Sequence, residues 1–224
     1  NSLFGFSAKK IEEELNIKVV NCGIHAGFSI DFLLWLTEKY FNAGDIIVMP
    51  LEYNLYESNK YNLSNSQINI VQGFYSNYKR ELSILQTINF NLIYSYKDLI
   101  DTLYIKHNPF FDRNHIKKWS INEYGDILNN DKSFQSEQSR LDLSEVNLNR
   151  ILIEGLNNYE FAFSILKKFF IKADSKNIKV LGAYPNLCYW DDYKHFPSFN
   201  KTIKKIKLLF EENASGFIGY IKES

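Results

Sequence analysis

Apolar residues along the chain fall into runs of two lengths, and their alternation sets the architecture. Short β-branched or continuous apolar runs occur at Lys18–Asn21, Asp45–Leu51, Ile178–Tyr184 and Phe217–Ile221, each bounded by Gly, Pro, Asn or Asp. Runs of this length between turn residues predict buried strands. Between them lie longer segments with helical spacing. Ser7 is placed to cap a helix over Ala8–Leu15 that Asn16 closes. Phe28–Phe41 is apolar almost all round, which predicts a helix packed on a sheet, and Asn42–Asp45 stops it with Gly44 available for a positive φ. Asn157–Lys176 carries Phe161, Ile165, Leu166, Phe169 and Ala173 on one side, and Phe199–Asn213 is the last helical stretch. Weaker helical patterns cover Lys79–Ile88 and Tyr96–Leu103.

Four strands alternating with helices predict an α/β protein with right-handed crossovers and helices on both faces of a mostly parallel sheet. The expected architecture is a three-layer, doubly wound sheet forming a single domain over residues 1–224. The Asp45–Leu51 run reads as a central strand buried on both faces, with Pro50 at its last residues where a ladder bond is dispensable. Tyr53–Gln72 reads as an excursion over the top of the sheet. From His107 to about Ser144 the chain is polar and irregular, which in a compact domain predicts a lid, a binding loop or an inserted subdomain.

Composition narrows the class without naming the chemistry. Hydrophobic residues make up 45% of the 224 residues and aromatic residues 16%, enough to build a sizeable core. Lys plus Arg and Asp plus Glu both number 26, so net charge gives the chain no claim on nucleic acid or an anionic membrane surface. The basic run Lys201–Lys207 is interleaved with Ile203, Ile206 and Leu209 and reads as a solvated helix face. No segment has the roughly 18 successive apolar residues of a transmembrane helix, although an upstream anchor is compatible with the sequence. Cys22 and Cys188 fall on strands that are not neighbours in a flavodoxin-like order, so free thiols are expected.

Polar residues gather at the predicted carboxyl ends of the strands, where open α/β sheets place their sites. Three stretches carry a resemblance when taken together. The run NSLFGFS before a helix, then VVNCGIHAG, then GDIIVMPLEYNLY resembles the SGNH/GDSL hydrolase superfamily, in particular its polysaccharide-associated, acyl-handling members. The resemblance implies a flavodoxin-like sheet and a serine nucleophile just before Asn1, with Ser2 beside it. It also implies that the Gly23 backbone N–H helps form an oxyanion hole. Where the family reads Gly-x-Asn-Asp this chain has Leu51-Glu52-Tyr53-Asn54, so Tyr53 or Asn54 stands in for the asparagine donor. The family's Asp-x-x-His, which supplies the base, would lie beyond Ser224.

Such a layout performs acyl transfer: a histidine takes the serine proton while fixed donors hold the oxyanion. Without nucleophile and base, only a residual rate from binding and the oxyanion hole would remain. The resemblance thus implies a serine esterase or O-acyltransferase acting on an acylated carbohydrate or small ester, in the bacterial envelope or periplasm rather than the cytoplasm. It implies no cofactor and no metal. A non-catalytic domain of the same fold that binds carbohydrate or a partner is the other reading.

Other candidates have bland alternatives. Ser29 reads as a helix N-terminal residue rather than a nucleophile elbow, since Asp31 replaces the second glycine. His25 either touches substrate or is a hydrogen-bonded structural histidine. Glu52 either fixes the loop backbone or faces substrate. His107, Asp112 and His115 lack a convincing fourth metal ligand. His195, near Asp191 and Asp192, precedes the last helix and strand, where the family would not place its base. Tyr53, Tyr56, Tyr61, Phe74, Tyr75, Trp119 and Trp190 either line a sugar-binding groove, with Tyr56 touching substrate, or belong to the core.

Overall fold

The computed structural model describes residues 7–22, 28–58, 149–185 and 193–219, with single positions between 71 and 96 and Tyr124. Its elements, in chain order, begin with helices α1 (Ala8–Leu15) and α2 (Ile30–Tyr40) and strand β1 (Ile46–Met49). A 3-10 turn (Tyr53–Glu57) follows, then α3 (Arg150–Glu154), α4 (Glu160–Asp174), β2 (Lys179–Ala183), α5 (Pro197–Asn213) and β3 (Gly216–Ile218). The three strands form one parallel sheet in the order β1-β2-β3, with Ile46 opposite Lys179 and Leu181 opposite Gly216. The class is therefore α/β.

Local chemistry explains where the helices start and stop. The Ser7 hydroxyl accepts the Lys10 N–H at 3.4 Å to open α1, and Asn16 closes it in the left-handed conformation with φ 52°. Ser29 is the residue before α2, the bland role the sequence suggested. Gly44 follows α2 with φ 90°, and its N–H donates to the Asn177 carbonyl at 3.0 Å, joining the entries to β1 and β2. Pro50 falls immediately after β1, outside the ladder.

Alternation along β1 and β2 turns Ile47, Met49 and Val180 toward the main core. There they meet Leu166, Phe169 and Phe170 of α4 and Ile203, Ile206 and Phe210 of α5. Helix α2 carries two apolar stripes. Ile30 and Leu34 join the main core, while Phe32 and Leu36 pack with Phe28, Val71, Tyr78 and Phe90 in a second cluster. This is why α2 looks apolar all round in sequence. Gly182 lies where the sheet meets α5. A Cβ built there would approach the rings of Phe210 and Phe217 to 2.5–2.7 Å, so only glycine admits this packing.

Three expectations are corrected. Lys18–Asn21 is not a strand: no ladder among the described residues includes it, and Val20 is 66% exposed. Its N–H groups find other acceptors, Val19 on the Glu12 carboxylate at 3.0 Å and Asn21 on the Tyr124 carbonyl at 2.7 Å. A β-branched run becomes a strand only beside a ladder partner, and the described sheet offers this one none. Nor is β1 buried on both faces. It stands at one end of the described sheet, where Ile46 is 59% and Val48 50% exposed. The last strand ends at Ile218 rather than Ile221, because Gly219 turns the chain with φ 97°.

Helix α3 has no counterpart among the predicted elements, since five residues are too few to show a period. At Ile84, Leu85, Thr87, Ile88 and Tyr96 the backbone is helical, as expected. Leu82, within the first of these stretches, is a bend rather than helical, and the other positions of both stretches, with the insertion at 107–144 apart from Tyr124, lie outside the described residues.

Candidate functional site

The parallel strand β1 runs out at Met49, and Pro50 to Asn54 carry the chain over its carboxyl end, the edge where α/β sheets bind ligands. The Leu55 N–H donates to the Glu52 carbonyl at 2.9 Å, and Tyr53–Glu57 winds into the 3-10 turn. Three residues per turn place positions 53 and 56 on one side. Both tyrosines point inward: Tyr53 is 3% and Tyr56 0% exposed, and both belong to the main core. The Tyr56 ring meets Phe163 of α4 edge-on, with centroids 6.2 Å apart. Asn54 is turned outward, and Glu52 is half-buried.

A polar frame holds this turn in place. The side chain of Asn149 caps α3 by accepting the Ile151 N–H at 3.0 Å. The Asn149 backbone N–H donates to the Tyr193 hydroxyl at 2.7 Å, and its side-chain amide reaches the Asn54 side-chain oxygen at 3.5 Å. Glu57 ends the turn with its carboxylate between two donors, the Arg150 guanidinium and the Asn157 backbone N–H. Arg150 also pairs with Glu154 at 3.0 Å. Glu57 thus fixes the loop backbone through its carboxylate. Asn149, Arg150 and Tyr193 escape sequence reasoning because they are more than 90 residues from the loop they support.

Burial sets the state of the phenols. Desolvation pushes Tyr53 well above the usual tyrosine range, with Tyr184 and Tyr193 adding to the effect. Desolvation does the same to Tyr56, helped by Tyr53 and Tyr184. Tyr184, directly after β2, is pushed up to about 12 by burial and by Glu211. Near neutrality these are O–H donors. The hydroxyls of Tyr53 and Tyr56 are sealed from solvent with no hydrogen-bond partner among the described residues. Such orphaned buried groups are uncommon.

The structure thus brings Glu52, Tyr53, Asn54 and Tyr56 to the carboxyl end of β1. Ser2, Gly23 and His25 lie outside the described residues, as do His107, Asp112, His115, Tyr61, Phe74, Tyr75, Trp119, Cys188, Trp190, Asp191 and Asp192. His195 is exposed in the turn before α5. Cys22 is an exposed free thiol. The lysines of α5 lie on its outer side while Ile203, Ile206 and Leu209 are buried. Among the described residues no group of three or more His, Cys, Asp or Glu side chains is placed to hold a metal ion, and no helix is long and apolar enough to cross a membrane. No protein-family profile matches the chain, nor does any curated protein or solved structure.

Proposed function

We propose that this chain is an SGNH-like serine esterase or O-acyltransferase acting on an acylated, in particular acetylated, carbohydrate of the bacterial envelope. In this reading the sheet is part of a doubly wound, flavodoxin-like arrangement. The nucleophile immediately precedes Asn1, the Gly23 N–H is one oxyanion donor, and Tyr53 or Asn54 supplies another. The observation that carries the reading is the Tyr53 hydroxyl, a protonated donor with no acceptor among the described residues, just past the end of a parallel strand. A preorganised donor of that kind stabilises charge that develops during acyl transfer.

The test is labelling of the native gene product by a serine-directed fluorophosphonate, together with hydrolysis of p-nitrophenyl acetate. Labelling that is lost on replacing the serine before Asn1 is the expected result. A folded product that is neither labelled nor hydrolytic overturns the enzymatic reading. The departure Leu51-Glu52-Tyr53-Asn54 from the family's third block supports the second reading, a non-catalytic domain that binds carbohydrate or a partner. In that case glycan binding survives loss of the serine.

A further inference from the structure

Helices α2 and α4 border a cleft of about 360 Å3 that shares no residue with the site at the end of β1. Its floor is apolar: Leu34 and Phe169 are buried, and Trp35 and Ile165 are half-buried. Its walls are charged, acidic from α2 and basic from α4. One pair is already matched, since Lys172 of α4 reaches across to Glu38 of α2. Asp31, two turns before Glu38, instead accepts the Tyr78 O–H at 2.7 Å, a neutral donor that supplies no counter-charge. Lys168, one turn before Lys172, is exposed. Asp31 and Lys168 both line the cleft and are opposite in sign, yet no ion pair joins them.

The occupant's chemistry follows from those walls. A simple organic anion on Lys168 would stand beside the Asp31 carboxylate, and a simple amine on Asp31 would stand beside the Lys168 ammonium. Each gains one attraction and meets one repulsion. A molecule carrying both signs gains a charge-assisted hydrogen bond at each end. The floor asks for an apolar group on the same molecule, and the volume is close to the lower bound of small-molecule sites, about 300 Å3, too small for a polymer. We propose that the cleft binds a free amino acid with an apolar side chain, its ammonium on Asp31, its carboxylate on Lys168 and its side chain over Leu34, Trp35 and Phe169. This second site is one of binding alone and does not depend on the acyl chemistry proposed above.

Ligand-observed NMR titrations of the full chain test this with three probes that share one ring. L-phenylalanine carries both charges, 3-phenylpropionate lacks the ammonium and phenethylamine lacks the carboxylate. Phenylalanine is expected to bind, and each analogue about tenfold more weakly, because each forfeits one charge-assisted contact. Lys168→Met should bring phenylalanine down to the affinity that phenethylamine has for the wild type. Asp31→Asn, which keeps an acceptor for the Tyr78 O–H, should bring it down to that of 3-phenylpropionate. Lys168 is exposed, so its replacement leaves the melting temperature unchanged and weaker binding by that variant reads the cleft rather than the fold. Equal affinity for the three probes overturns the proposal, as does no binding of phenylalanine up to its solubility limit, or an affinity for phenylalanine unchanged in either variant. Fluorophosphonate labelling reads the serine chemistry alone, so the two proposals fail separately.

Discussion

The carboxylate of Glu57 meets the guanidinium of Arg150 across 93 residues of sequence, and the same carboxylate accepts the backbone N–H of Asn157. One side chain thus ties the turn after β1 to both ends of the segment carrying α3. The Glu57 side chain is only 12% exposed while that of Arg150 is 55% exposed, so the two partners are unequal. Replacing Glu57 by Ala frees the Asn157 N–H as well as the guanidinium and is expected to cost about 1 kcal/mol. Arg150→Ala removes an exposed partner and has the smaller effect, one that salt further reduces. Urea unfolding of both variants at low and high salt checks the order; an Arg150→Ala loss equal to that of Glu57→Ala contradicts it.

Gly182 supplies a second prediction, on packing. Its missing Cβ leaves room for the rings of Phe210 and Phe217, whose centroids are 5.9 Å apart. Gly182→Ala forces those rings or the strand to move, and overpacking of this kind costs about 1–3 kcal/mol. Thermal unfolding reads the loss. Combining the change with Phe217→Leu, which thins the ring contact, should recover part of it.

Gly44 isolates backbone strain from packing. With φ at 90° and nothing within 4 Å of the place a Cβ would take, an alanine there meets no clash but adopts a conformation L residues avoid. Gly44→Ala is expected to cost about 1 kcal/mol, and Gly44→Asn less, because Asn tolerates the left-handed region better. Equal melting temperatures for glycine and alanine proteins would show that the turn relaxes.

Helix boundaries were legible because they depend on neighbours in sequence. Ser7, Asn16 and Ser29 act through hydrogen bonds or φ values within a few residues of themselves and sit at helix ends, where the pattern placed them, while Gly44 takes its positive φ in the turn before β1. Strand status was not legible at Lys18–Asn21, since a strand is defined by its partner and nothing in KVVN states whether one is present. The same limit hid the exposure of Ile46 and Val48, whose apolar character fits a buried face equally well. At the candidate site, Tyr53 and Asn54 could be placed at a strand end from the run before them. The frame of Asn149, Arg150, Asn157 and Tyr193 could not, because its contacts close loops of more than 40 residues.

The buried tyrosines make a prediction about alkaline pH. In the unfolded chain each titrates near its ordinary value of 10.0, whereas in the fold Tyr53 and Tyr56 are held above it, chiefly by desolvation. The unfolded state therefore releases protons first as pH rises, binds fewer than the native state, and is favoured by mass action. Stability from these groups is fully present below pH 10 and declines as pH climbs past it. Tyr184, with its value pushed up to about 12, adds to the same decline. Melting temperatures measured from neutral pH upward should fall beyond pH 10. The Tyr53→Phe/Tyr56→Phe protein has two fewer groups to ionise and should show a shallower fall. An identical alkaline profile for the two proteins would mean that these phenols already reach solvent in the folded state.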